Sequence, residues 1–220
     1  MEENIRGSYE ETINLTSKRF VKMILVDASF ILELLFKCSS KSLTSDDPMV
    51  AEPRANAVRL DLLLLENQLP FFVIEKLHDL AFPSNSYANP CLSNYGALLK
   101  LSFDYFRDVP CIQLRQVLQD HPIVKVDRFT DLLRTFQLPP PEQQPKDRLQ
   151  LINQLYSATQ LYEAGVKFKL GESPGCFDIK FEKGVLEIPH LALTDSTEVV
   201  IRNITALEQT YHIDEAYFIE

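Results

Sequence analysis

Residues 60–80, LDLLLLENQLPFFVIEKLHDL, constrain the fold more than any other stretch. Two strongly apolar runs meet there at Glu66-Asn67-Gln68. Leu60, Leu63 and Leu64 recur at helical spacing, and Leu62 and Leu65 widen the stripe. A stripe that wide suits a helix covered on most sides. Asn67 is suited to cap the next helix, because its side-chain oxygen can accept an orphan backbone N–H. Pro70 then falls in the first turn, where its missing N–H costs little. Leu69, Phe71, Ile74 and Leu77 give the second helix an apolar face, with Glu75, Lys76 and Asp79 outside. The expected product is two helices with a tight or kinked joint, and an ordinary core there rather than a ligand pocket.

The chain has 220 residues, 45% hydrophobic and 24% charged, which predicts a folded protein with one sizeable core or two small ones. Its formal net charge of -9 argues against nucleic-acid partners and anionic membrane surfaces, both of which select clustered Lys and Arg. The cysteines, Cys38, Cys91, Cys111 and Cys176, are scattered without a CxxC pair or zinc spacing. They read as reduced thiols of a cytoplasmic protein. The acidic start, MEENIRGSYEE, lacks the apolar core of a signal peptide. The sequons at Asn14 and Asn203 therefore read as chance matches. The most apolar candidate for a membrane span, residues 20–36, contains Lys22, Asp27 and Glu33 and falls short of the roughly 20 residues required.

Residues 1–19 form a polar segment, loose or weakly helical up to about residue 16, and residues 20–220 form the domain. Ser17 is placed to cap a helix over 18–37, apolar almost all round and so expected deep in the core. Its residues 23–26 could instead begin as a strand. Asp27 in such a run needs a partner, and a buried hydrogen bond is preferred to a catalytic acid. A loop over 38–53 leads to the helix that feeds the central pair, and 83–95 is a second loop. Helices are expected over 96–106, over 129–136 with Asp127 as cap, and over 149–164 with Gly165 as the stop. The proline-rich 139–145 reads as an extended surface connector.

The period then changes. Phe177, Ile179 and Phe181 alternate with Asp178 and Lys180, which predicts a half-buried strand. Glu182-Lys183-Gly184 reads as a three-residue hairpin loop, and residues 185–188 as the returning strand ended by Pro189. Asp195 and Glu198 resemble a capping box for a last helix lined by Val200, Ile204, Leu207 and Tyr211. The fold class is mainly α (α+β): a helical core domain with one antiparallel β-hairpin near 177–189.

The residues that carry chemistry elsewhere are sparse here. There is no GxGxxG or GxxxxGK[ST] loop, no HExxH and no GxSxG elbow. The four histidines, His78, His121, His190 and His212, lie far apart, so no metal or cofactor is expected. One arrangement is sharper. If the hairpin pairs Phe181 with Val185, Cys176 falls opposite His190, and a Cys–His contact oriented by Asp178 would activate a thiolate. The competing reading is two unremarkable residues at the open end of a hairpin, since no oxyanion donor is identifiable.

Five ordered stretches resemble the plant family named domain of unknown function 247, also called UPF0481. They are MILVDASFILELL, LLLLENQLPFFVIEKL, SATQLYEAGVKFK, FDIKFEKGVLEIPHLAL and DSTEVVIRNITALEQ. Ala28-Ser29 stands where the family usually has Gly-Cys, and Cys176 and His190 are not usual at their positions. The resemblance implies a plant protein about twice this length, whose remaining half ends in a membrane-anchoring helix. This chain is similar to the N-terminal half, and its apolar finish, Tyr217-Phe218-Ile219-Glu220, reads as cut short. The family implies no catalytic residues. Grass relatives implicated in self-incompatibility imply protein recognition.

The expectation is a non-enzymatic interaction or signalling module with protein partners. The alternatives are a cysteine-dependent hydrolase using Cys176 and His190, or a truncated copy without function.

Overall fold

Twenty-four consecutive residues without glycine or proline carry the longest helix among the described residues. In the computed structural model the structure describes residues 1–40, 52–83, 94–107, 109, 125–138, 156–172 and 179–211. Among these, the helices are α1 (Glu2–Arg6), α2 (Ser17–Ser40), α3 (Glu52–Asp61), α4 (Phe71–Ala81), α5 (Asn94–Phe106), α6 (Phe129–Gln137), α7 (Ala158–Glu163) and α8 (Thr197–Tyr211). The strands are β1 (Lys167–Gly171), β2 (Lys180–Glu182) and β3 (Val185–Pro189). The chain is thus mainly helical with a small sheet. It divides into two compact units: Met1–Phe106 with Asp120–Leu132, and Arg107–Gln119 with Leu133–Glu220.

In the first unit, α2 packs on α4 and α5, which also pack on each other. The buried side of α2 is Phe20, Ile24, Ala28, Ile31, Leu32, Leu34 and Leu35, one stripe at spacings of three and four. The helix is therefore not deep in the core, although its composition is apolar all round. Val21, Met23, Leu25, Val26 and Phe30 are 39% to 57% exposed. Asp27 also faces outward, so it needs no buried partner. Phe71, Phe106 and Phe129 form the aromatic centre, with Phe71 and Phe129 edge to face at 5.8 Å.

The joint between the central runs is not one tight helical elbow. Helix α3 ends at Asp61, a short 3₁₀ turn covers Leu65–Asn67, and Gln68 is extended. Pro70 holds its predecessor away from helical geometry and is itself the N-cap of α4. Asn67 does not cap α4. Its side-chain amide donates instead to the Asp61 carbonyl at 3.1 Å, at the end of α3. The N-terminal segment is also tied down. Arg6 donates to the carbonyls of Ile13 and Leu15 at 2.8 and 2.9 Å, and its guanidinium lies 4.1 Å from the centre of the Phe20 ring.

In the second unit, Ser157 and Gln160 form a reciprocal capping box, so α7 starts at Ala158 rather than continuing a helix through Tyr156. The earlier part of the expected helix, 149–155, lies outside the described residues, as does the proline-rich 139–145. Gly165 stops α7 as expected, with φ of +92° and the paired closing bonds Val166 N–H to Leu161 and Gly165 N–H to Tyr162.

The hairpin is present, with two differences. Its loop has two residues, Lys183 and Gly184, at φ of 51° and 78°, the mirror-image turn that suits strand twist. Consequently Phe181 pairs with Leu186, not Val185. A further strand, β1, pairs in parallel with β3 and gives the order β1-β3-β2. Strand β2 is exposed throughout rather than half-buried.

Helix α8 begins at Thr197, so Asp195 is not its cap. Thr197 Oγ1 accepts from the Thr194 N–H at 2.8 Å, while Glu198 pairs with Arg202 in solvent. Val200, Ile204 and Leu207 are buried as the spacing predicts, and Tyr211 is exposed. Glu208 shares that stripe, fully buried, and accepts from Arg134 Nε at 2.7 Å. Removing one member of a buried ion pair strands the other. Glu208→Ala should therefore cost about 3–5 kcal/mol in chemical unfolding, and Arg134→Met with Glu208→Leu should recover most of it. Unchanged stability in Glu208→Ala would contradict the assignment.

His78 is fully buried between Phe36 and Phe82, with ring centres at 6.0 and 5.5 Å. Burial pushes its pKa down, and neighbouring Asp79 opposes this more weakly. The unfolded chain thus binds the proton more readily than the folded one, and stability should fall as pH drops below about 6.5. His78→Phe should flatten that part of the stability–pH profile, as measured by denaturant midpoints.

Candidate functional site

A cleft of about 350 Å³ lies in the first unit, between α2, the N-terminal segment and the 3₁₀ turn. Met23, Phe30 and Leu62 supply apolar wall, and Asp27, Asp61 and Glu66 supply carboxylates. Tyr9 also lines it, donating from its hydroxyl to the Gln68 carbonyl at 3.4 Å. Burial pushes the Tyr9 hydroxyl above its ordinary pKa, with Arg128 acting against this and Asp27 adding to it. Tyr9 therefore remains a neutral donor at physiological pH. The cleft suits a cationic group on an apolar stem, and among the described residues its lining contains no Ser, Cys, His or Lys.

The back of the cleft is built on Gln68. Its side-chain nitrogen donates to the Leu63 carbonyl at 2.9 Å and to the Thr130 hydroxyl. Its side-chain oxygen accepts from the Thr130 backbone N–H at 3.3 Å, and the Thr130 hydroxyl donates to the Leu63 carbonyl at 2.7 Å. Thr130 lies in the first turn of α6, where backbone N–H groups lack helical partners. Gln68 thus acts as a helix cap from 62 residues away. Nearby, the Phe71 N–H donates to the Asp127 carbonyl at 2.8 Å, and the Val126 N–H donates to the Tyr95 hydroxyl at 2.9 Å.

Of the residues that sequence singled out for catalysis, the structure describes His190 alone. His190 is exposed immediately after β3. Cys176 and Asp178 lie outside the described residues. The Phe181–Val185 pairing that would set Cys176 against His190 is not made, because the loop is one residue shorter than expected. Cys38 is half-buried, and burial pushes its thiol up despite nearby Arg59, the opposite of activation. Among the described residues, no group of three His, Cys, Asp or Glu side chains is placed to hold a metal ion. Sequence reading met Gln68 only as part of the break between two apolar runs, and it passed over Glu208, which lies four residues after buried Ile204 on the same helical stripe.

A family model described as a plant protein of unknown function, DUF247, matches residues 1–219. The chain belongs to the DUF247 family. It is similar to the UPF0481 protein At3g47200 of Arabidopsis thaliana, with 27% identity over 96% of this chain and 47% of that protein. It is also similar to the putative UPF0481 protein At3g02645 of the same plant, 27% identical over 42% of this chain and 17% of that protein. The chain thus spans about half the length of the first relative and less of the second. No solved structure matches. In this DUF247 chain, the LLLLENQLPFF stretch that carried the resemblance is the one that places Gln68 at α6.

Gln68→Glu tests the capping network. The introduced carboxylate can accept from Thr130 N–H but cannot donate to the Leu63 carbonyl. The loss should be about 2–4 kcal/mol at neutral pH, and it should shrink on acidification as the buried carboxyl regains a proton. Chemical unfolding at two pH values measures this. A variant as stable as the parent at both would contradict it.

Proposed function

We propose that the chain is a non-enzymatic protein-interaction module of a plant recognition or signalling system, in line with its self-incompatibility relatives. The observation that supports this is the outward side of α2. Lys18, Val21, Lys22, Leu25, Val26 and Ser29 line an open groove of about 510 Å³. An exposed apolar strip on a helix buried along its other side invites a second helix packed into it. Lys18 and Lys22 at one end favour a partner helix that presents an apolar ridge beside acidic side chains. The proposal places the module in the cytoplasm, as the scattered thiols suggest. Among the described residues, no helix is long and apolar enough to cross a membrane.

The test is affinity capture from plant extract followed by a binding isotherm with the protein recovered. Leu25→Glu and Val26→Glu should each weaken a saturable complex by about tenfold or more while the far-UV spectrum is kept. Cys176→Ser should leave binding unchanged. An isotherm insensitive to both α2 variants would contradict the reading. A hydrolytic activity lost in Cys176→Ser would favour the thiol alternative.

A further inference from the structure

The sheet of the second unit carries its own apolar surface, independent of the α2 groove. Side chains alternate between the faces of a strand, and paired residues share a face. Phe168, Leu186 and Phe181 align across β1-β3-β2, and Leu170 and Ile188 align one step further along. Ile179, just before β2, belongs to the same face by alternation. The opposite face carries Lys167, Lys169, Lys180, Glu182 and Glu187, with Lys169 and Glu187 ion-paired at 2.9 Å. The sheet therefore has one charged side and one side with no charge.

The uncharged side is open. Leu170, Ile179 and Phe181 are 60% to 67% exposed, and Phe168 and Ile188 about 40%. Large apolar side chains at that exposure present ~500 Å² or more, at the upper end of the largest patch a soluble monomer leaves uncovered and of the size that is often functional. Leu191 and Leu193, exposed just beyond β3, extend the apolar surface.

We propose that this face stacks on the same face of a second copy of the chain, sheet against sheet. Three observations favour that occupant. The area approaches the ~800 Å² per partner of a standard interface. A shallow sheet face is complementary to another such face at ~10 Å separation. Within the three strands the face carries no charge, so stacking places no like charges of the strands in contact across it. An anionic membrane fits less well, because the lysines of the sheet project from the opposite side and would point away from the headgroups.

Sedimentation velocity of the full 220-residue chain, from about 1 to about 100 μM, tests the proposal. The expected result is a concentration-dependent species of twice the 25.3 kDa chain mass. Phe181→Asp with Ile188→Asp should raise the dimer Kd at least tenfold with an unchanged far-UV spectrum. Leu170→Asp, on a different strand of the same face, should do the same and guards against misfolding of the hairpin variant. Leu25→Glu should leave the dimer intact. A monomer throughout the range, a dimer that survives the sheet variants, or one dissolved by Leu25→Glu would overturn the proposal. So would a monomer that sediments with phosphatidylserine vesicles through this face.

Discussion

A buried amide survives only if its donors and acceptor all find partners, and Gln68 meets that condition between two of the most apolar runs in the chain. Its nitrogen, the Thr130 hydroxyl and the Leu63 carbonyl close a ring of hydrogen bonds, while its oxygen takes the Thr130 N–H. The joint cannot be continuous helix, because Gln68 must be extended to reach that position. Apolar pressure from both sides and the demand of one amide together set where α3 stops and α4 starts.

The same region disposes of other orphan groups. Segment 126–131 gives its Asp127 carbonyl to the first turn of α4 and takes the Tyr95 hydroxyl of α5 on its Val126 N–H. The Asp127 N–H is taken by the Asp131 carboxylate at 3.0 Å. The N-terminal turns of α4, α5 and α6 are therefore referenced to one short stretch of backbone. The aromatic centre of Phe71, Phe106 and Phe129 sits beside it, where ring packing rewards a fixed geometry. This arrangement leaves α2 free to show one apolar side, the side on which the interaction reading rests.

Much of the fold was legible because spacing is a local property. The stripes of α2, α4 and α8 can be read from residues three and four apart, and Gly165 and the place of the hairpin turn, though not its length, from the backbone angles that glycine allows. Local spacing does not say how many sides of a helix are covered, which is why α2 and Asp27 were expected inside. Caps were misassigned at Asn67 and Asp195, where several polar residues compete and tertiary partners decide. Strand β1 alternates Lys167-Phe168-Lys169-Leu170 as cleanly as the hairpin does, but its parallel partner begins 18 residues on, and no turn announces it. The hairpin register moved because one loop residue flips or shifts every pairing beyond it. The thiol–imidazole contact depended wholly on that register. Gln68 looked like a break between helices, and only its long-range bond to Thr130 shows its role.

The account's central claim is that the Gln68–Thr130 ring organises the first unit. Native-state amide hydrogen exchange, read residue by residue, tests it most directly. The Thr130 and Phe71 amides should exchange among the slowest in the chain, at rates tracking global unfolding, although both lie at helix starts where fraying is usual. Rapid exchange at Thr130 alongside slow exchange in the middle of α5 would show that the ring does not hold the unit together.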